Sequence, residues 1–310
     1  MKKLFGVDIG GTSVKLGLFD EEGTKLSAWD IPTRTQDGGK EILPDIAKSI
    51  RSKMKEESLS DDMVMGVGLG APGPFTDEGV VRRAVNLGWG EFNVKTVMEE
   101  AVGLPVRCGN DANVAALGEY WKGGGEGAGD MLMVTLGTGV GGGIIHDGTI
   151  FNGANGAGGE IGHIHMEDDE EEACGCGGHG CFEQYASATG AVRIARRMLA
   201  SSDEGSCLRE KDFECKDVFA AAAEGDSFAD KVIHRYGYYL GKGLALCATV
   251  LNPEVIVIGG GVSKSGPLLI ELLKPSYEKY CFPGCRDVRF EMAKLGNDAG
   301  IYGAARMLLS

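Results

Sequence analysis

Apolar residues in this chain fall into short runs that are cut by glycine. Leu4 to Ile9 is one run; it breaks at Gly10-Gly11-Thr12-Ser13 and resumes as Val14-Lys15-Leu16-Gly17-Leu18-Phe19. Met131 to Leu136 does the same, breaking at Gly137-Thr138-Gly139 and resuming through Gly141-Gly142-Gly143-Ile144-Ile145. Both patterns predict strand, glycine-rich turn, strand. Glu254 to Ile258 predicts a third kind of unit, a β-branched strand followed by Gly259-Gly260-Gly261-Val262-Ser263 and a helical pattern from about Gly266 to Tyr280. Period-four stripes mark helices: Ile42, Ile46, Ile50 and Met54 in one, and Ile233, Leu240, Leu244 and Leu251 in a segment from about Asp226 to Leu251. A short strand, Pro105 to Cys108, leads into a helical run from Ala112 to Trp121. The order is three strands, helix, strand, helix, strand, helix, and it broadly recurs after Gly123-Gly124-Gly125. That duplication predicts two α/β domains around a ligand cleft.

Composition narrows the function. With 45 acidic against 31 basic residues in 310, the net charge is −14. Such a surface repels nucleic acid and anionic membrane. No run of 18 apolar residues occurs, and the N-terminus enters a strand with no signal-type segment, so the expected location is cytoplasmic. In a reducing cytosol, the cysteines outside the cluster described next, Cys108, Cys207, Cys215, Cys247, Cys281 and Cys285, are expected as free thiols.

That cluster lies between Glu160 and Glu183. His163, Cys174, Cys176 and Cys181 supply one imidazole and three thiols, the donor set of a closed tetrahedral zinc site. Glycines at 175, 177, 178 and 180 allow the tight turns a chain needs around one ion. His165 and His179 are near enough in sequence to replace His163. A closed zinc site does no chemistry itself; it would fix a loop carrying Glu160, His163 and Glu183. The acidic stretch Glu167 to Glu172 reads as a solvated loop tip.

Two polar constellations carry candidate chemistry. Glycines with Thr and Ser at 10–13 and 137–139 let backbone amides and hydroxyls cradle phosphate. There is no G-x-x-x-x-G-K-[ST], so this is not a P-loop protein. Gly109-Asn110-Asp111-Ala112-Asn113 follows a strand and opens a helix, where Asn and Asp cap the helix and Asp111 can accept a proton from an alcohol. Asn86, in Ala84-Val85-Asn86-Leu87-Gly88-Trp89, either binds ligand or satisfies a turn.

Asp8-Ile9-Gly10-Gly11-Thr12, Asn110-Asp111-Ala112-Asn113, Leu136 to Gly143, Gly159-Glu160-Ile161-Gly162-His163 and the cysteine cluster together resemble ROK-family sugar kinases, and within them the bacterial glucokinase branch. The resemblance implies the actin-like ATPase (ribonuclease H-like) fold. It implies an N-terminal domain over 1–118, with a C-terminal helix at 298–309 packing back on it, and a C-terminal domain over 119–297 carrying the zinc loop. It further implies transfer of the ATP γ-phosphoryl group to the 6-hydroxyl of glucose, with Mg²⁺, structural Zn²⁺ and a homodimeric assembly. The family's catalytic base falls on Asp111, and its sugar ligands on Asn86, Asn110, Asp111, Glu160, His163 and Glu183. Its nucleotide contacts fall on Asp8, Gly10, Gly11, Thr12, Ser13, Lys15, Gly137, Thr138, Gly139, Gly259, Gly260 and Gly261, with Asp8 placing the Mg²⁺. Kinases for N-acetylmannosamine, N-acetylglucosamine, mannose or fructose share these motifs. Sugar-sensing repressors of the family carry a helix-turn-helix ahead of the first phosphate loop, whereas seven residues precede Asp8 here. The segment Asn86-Leu87-Gly88-Trp89 followed by Phe92 resembles the glucokinase branch, and that resemblance implies glucose.

Overall fold

A computed structural model describes residues 2–210 and 212–309. In chain order its principal elements are β1 (Lys3–Ile9), β2 (Ser13–Asp20), β3 (Lys25–Pro32), α1 (Ile42–Glu56), β4 (Val64–Ala71), α2 (Val94–Val102), β5 (Val106–Asn110) and α3 (Asp111–Lys122). There follow β6 (Met131–Leu136), β7 (Val140–His146), β8 (Thr149–Ile150), α4 (Ala188–Ala200), α5 (Cys215–Ala223) and α6 (Ser227–Leu251). The chain finishes with β9 (Val255–Gly259), α7 (Pro267–Tyr280), β10 (Arg289–Met292) and α8 (Ala299–Arg306). It divides into two compact units, Met1–Gly129 with Gly143–Gly159 and Lys294–Ser310, and Asp130–Gly142 with Glu160–Ala293. The division does not fall at 118, because α3 runs unbroken through that position to Lys122. Among the described residues no helix is long and apolar enough to cross a membrane.

In the first unit the sheet order is β3-β2-β1-β4-β5. β1, β2 and β3 form an antiparallel meander, while β4 and β5 run parallel to β1. Strand alternation sorts β1 between two faces. Phe5, Val7 and Ile9 join the buried stripe Ile42, Ile46, Ile50 and Met54 of α1 and Met98 and Val102 of α2. Leu4 turns the other way, onto Ile301 and Ala305 of α8. On that second face glycines replace side chains, since a Cβ at Gly6 would lie 1.9 Å from the Ile301 carbonyl oxygen and one at Gly68 only 1.7 Å from that of Ala304. The bare strands admit the helix backbone, and α8 runs up β1 until Gly300 reaches Asp8, whose Oδ2 would lie 2.4 Å from a Cβ there.

A second five-stranded sheet has the order β8-β7-β6-β9-β10, with β6, β9 and β10, which belong to the second unit, mutually parallel. Leu132, Val134, Ile256 and Ile258 are fully buried in it. Asp226 caps α6 by accepting from the Phe228 and Ala229 amides, both at 3.0 Å. Within α6, Ile233, Leu240 and Leu244 are buried and Leu251 is half-buried. Gly237 and Gly241 bring α6 onto the Leu272 and Leu273 carbonyls of α7, where a Cβ would stand 2.5 and 2.1 Å away.

Candidate active site

The first unit collects carboxylates at the C-terminal end of its parallel strands. Asp8 ends β1 in register with Gly70 of β4, and Gly70 in turn is in register with Gly109, two residues before Asp111. Asn110 is the N-cap of α3, its Oδ1 accepting from the amides of Ala112 at 3.0 Å and Asn113 at 3.2 Å, while its Nδ2 donates to the Gly73 carbonyl at 3.1 Å. Asp111 Oδ1 accepts from the Ala112 amide at 2.8 Å, which fixes the carboxylate at the helix start. Burial raises the pKa of Asp111, against the pull of hydrogen bonds from the amides of Ala112 and Asp111 and from the Asn110 side chain. Asp8 is raised further, to about 6, first by burial and then by the Asp111 charge, with Lys15 opposing. Two half-buried carboxylates that repel one another are a donor set suited to a hard divalent cation. Asn86 stands exposed on a short 3₁₀ turn, Val85–Leu87, which is pinned by buried Leu87 and Trp89.

The second unit holds the cysteine cluster. The ligand atoms of His163, Cys174, Cys176 and Cys181 all lie within 4.8 Å of one another. Cys174 Sγ is 3.7 Å from His163 Nδ1, and Cys176 Sγ is 3.7 Å from Cys181 Sγ. A tetrahedron with Zn–S bonds of about 2.3 Å has edges of about 3.8 Å, so the thiols and imidazole fit a zinc ion. The other two histidines are engaged elsewhere. His165 meets the His179 carbonyl at 3.0 Å and Asp168 at 2.8 Å, and His179 Nδ1 meets the Glu170 carbonyl at 3.0 Å. His163 turns Nδ1 to the cluster and Nε2 toward Glu160, 3.9 Å away. Glu183 Oε1 accepts from the Cys174 thiol at 2.8 Å.

The acidic stretch departs from the sequence reading at one residue. Glu170 is buried, not solvated: Arg193 at 2.6 Å, Arg197 at 2.7 Å and the Tyr185 hydroxyl at 2.6 Å surround its carboxylate. The Arg197 hydrogen bonds hold it well below the usual carboxylate range. Alternating charge and cluster counts give no hint of this, because the arginines come from α4, more than twenty residues later.

The glycine loops of the second unit press on the same region. A Cβ at Gly139 would lie 2.5 Å from Glu183 Oε2, and one at Gly162 would lie 2.2 Å from the Val140 carbonyl. The Gly137 carbonyl accepts from the Ala188 amide at 2.8 Å and the Thr138 carbonyl from Thr189 Oγ1 at 2.7 Å, tying this loop to the first turn of α4. Gly260 has a φ of 83° and packs on the Leu136 backbone, a conformation and a spacing that favour glycine. Beside these loops opens a groove of about 1380 Å³, lined among others by Thr138, Gly139, Thr189, Phe213, Gly261 and Lys264. Thr189, Phe213 and Lys264 carry no sequence signal, since each is a single side chain without a motif around it. Another residue the sequence hides is Glu119, fully buried on α3, whose carboxylate accepts from the amides of Gly124, Lys294 and Leu295 at 2.8, 3.0 and 2.7 Å.

A family model described as the ROK family matches residues 4–310. The glucokinase of Halalkalibacterium halodurans is 46% identical over 304 residues, 96% of this chain and 92% of that protein. A ROK hexokinase from Thermus thermophilus superposes with a TM-score of 0.82 at 32% identity, covering 98% of this chain and 96% of that one. A ROK family glucokinase from Streptomyces griseus, in complex with glucose and AMPPNP, gives a TM-score of 0.74 at 35% identity over 98% of both chains.

Proposed function

The chain belongs to the ROK family, and on that premise we propose that it transfers the γ-phosphoryl group of ATP to the 6-hydroxyl of glucose, giving glucose 6-phosphate and ADP. Its fold is the actin-like ATPase fold. It is an ATP-dependent hexose kinase. The observation that carries the reading is Asp111, a carboxylate fixed at a strand end by the amide of the next residue and raised toward the range of a working base.

In this mechanism the 6-hydroxyl oxygen attacks the γ-phosphorus, the bond from that phosphorus to the β–γ bridging oxygen breaks, and ADP leaves. Asp111 orients the hydroxyl and takes its proton as the loose transition state develops, because an ionised carboxylate is too weak a base to form the alkoxide beforehand. Asn110 spends Oδ1 on the cap and one N–H on Gly73, which leaves its second N–H for a sugar hydroxyl. Glu160, His163 through Nε2, and Glu183 bind further hydroxyls, and Asn86 contributes from its exposed turn.

The loops at 10–13 and 137–139 hold the phosphates, Lys15 adds a cation, and Gly259 to Gly261 meet the adenosine in the groove beside Phe213. Asp8 would hold the Mg²⁺, which would supply positive charge to offset that on the transferring phosphoryl group. Zinc on His163, Cys174, Cys176 and Cys181 is structural; these residues orient His163 and Glu183 for the sugar. The enzyme works in the cytoplasm, where ATP is available and the six cysteines outside the cluster stay reduced.

The test is the initial rate of ADP formation with Mg-ATP across glucose, mannose, fructose, N-acetylglucosamine and N-acetylmannosamine. Glucose is expected to give the highest kcat/KM. Preference for an N-acetyl sugar would keep the chemistry and replace the substrate, and no turnover on any of the five would overturn the kinase reading.

A further inference from the structure

Lys15 does not pair with the acids beside it in the sheet. Asp8 on β1 and Asp30 on β3 are its cross-strand partners on either side. Opposite charges directly across a sheet normally find each other. The Lys15 ammonium instead lies 2.5 Å from Asp298 Oδ1 and donates to the Asn297 carbonyl at 3.4 Å. Asp298 comes from the turn that leads into α8, which is delivered to this face because Gly6 and Gly68 let the helix sit on the strands and Gly300 reaches Asp8. The second oxygen of Asp298 is held by Lys25 of β3. All three side chains are about one-quarter to one-third exposed, at 26% for Lys15, 24% for Asp298 and 34% for Lys25.

From this arrangement we infer that Asp298 is a positioning residue which holds Lys15 in reserve before nucleotide binds and releases it to the incoming phosphate. The inference rests on the kinase reading above and adds to it a competitor for the phosphate-binding lysine. Two physical features support it. A partly exposed ion pair is weak, so giving up Lys15 costs little. Lys25 remains on Asp298 after Lys15 leaves, so no bare carboxylate is left facing a polyphosphate.

The experiment is a double-mutant cycle on nucleotide affinity, measured as the Kd of Mg-ATP by titration calorimetry on the full chain without sugar. Asp298→Asn is expected to tighten binding about two- to five-fold, the range of one exposed ion pair, when Lys15 is present. The same substitution in a Lys15→Met background is expected to have a clearly smaller effect. Asp298→Glu is expected to bind like the unaltered protein. Equal tightening in both backgrounds would mean that only the through-space charge of Asp298 matters and would overturn the inference, as would weaker or unchanged binding in a variant with normal melting. Should Asp298→Asn fail to fold, Lys25→Met carries the test with opposite sign. Asp298, left with Lys15 alone, would grip it harder and weaken binding, again only while Lys15 is present. Absence of Mg-ATP binding by the unaltered protein would refute the kinase reading itself, whereas binding without the cycle difference would refute only the role of Asp298.

Discussion

At the scale of single residues the molecule depends on two aspartates whose surroundings differ. Asp111→Asn keeps the shape of the side chain but removes the acceptor, and kcat is expected to fall by about two to four orders of magnitude, the range for a positioned acid or base. Glucose affinity, followed by calorimetry, should change little, which separates lost proton transfer from lost binding. Asp8 makes a prediction about pH. Its folded-state pKa is raised from 3.8 to about 6, so the folded chain binds a proton there that the unfolded chain has released. The favourable contribution is therefore present below pH 3.8 and lost as pH rises through 6, leaving an ionised, half-buried Asp8 that costs about 1–3 kcal/mol at neutral pH in the metal-free protein. Asp8→Asn is expected to raise the melting temperature of metal-free, nucleotide-free protein at pH 7.5, with a smaller gain at pH 5. Equal gains at both would show that charge is not the cause. Both aspartates were visible in the sequence, because each is an acid beside a glycine where a strand pattern ends, Asp8 just before Gly10 and Asp111 just after Gly109. The capping role of Asn110 was visible too, but the commitment of its Nδ2 to Gly73 was not, since that carbonyl is 37 residues earlier.

At the scale of elements, what the sequence conveyed was local and what it concealed was paired at long range. The stripe Ile42, Ile46, Ile50, Met54 and the strand–glycine–strand runs at 4–19 and 131–145 became the expected helix and hairpins, because each is specified by neighbours within a few residues. Gly6 and Gly68 carry no motif of their own, and their use as a seat for α8 depends on a helix more than 230 residues further on. Glu170 is the clearest case. In sequence it is one acid among neighbours of like charge, yet in the fold it anchors the zinc loop to α4 and Tyr185. Glu170→Gln leaves Arg193 and Arg197 with only the exposed carboxylate of Glu172, and a loss of about 3 kcal/mol is expected, the lower end for breaking a buried pair because Glu172 remains and Arg197 is half exposed. The native pKa of Glu170 is depressed, so its contribution is full above the unfolded value of 4.5 and is lost as pH falls below it. Urea unfolding of both proteins at pH 7 and pH 4 should show the difference shrinking at the lower pH.

At the scale of the whole molecule the chain is two units, and the four candidate zinc ligands belong to one of them. Removing zinc should therefore have a bounded effect. The loop from Ile161 to Ala186 contains little regular structure, a 3₁₀ turn at Ile161–His163 and a single helical turn at Glu183–Ala186, and is otherwise joined by isolated backbone bonds, such as Met166 N–H to the Gly180 carbonyl and Phe182 N–H to the Ile164 carbonyl, and not by a continuous ladder. Apolar anchors remain: Ile161, Met166 and Tyr185 are buried, and Phe182 is fully buried with its ring against Gly243 of α6, where a Cβ would stand 2.3 Å away. Chelation is expected to raise amide exchange across residues 161–181, with a smaller rise in α6 near Gly243. Amides of β1 and β4, in the other unit, should keep their protection. Glucose affinity should fall in parallel, because His163 sits on the loosened segment and Glu160 and Glu183 adjoin its two ends, and readdition of zinc should restore both. Cys176→Ser should behave like the chelated protein without any chelator present. Unchanged exchange after verified metal loss would show that Phe182, Glu170 and the Gly162–Val140 contact order the loop alone. Loss of protection in β1 as well would show that the two cores do not open independently.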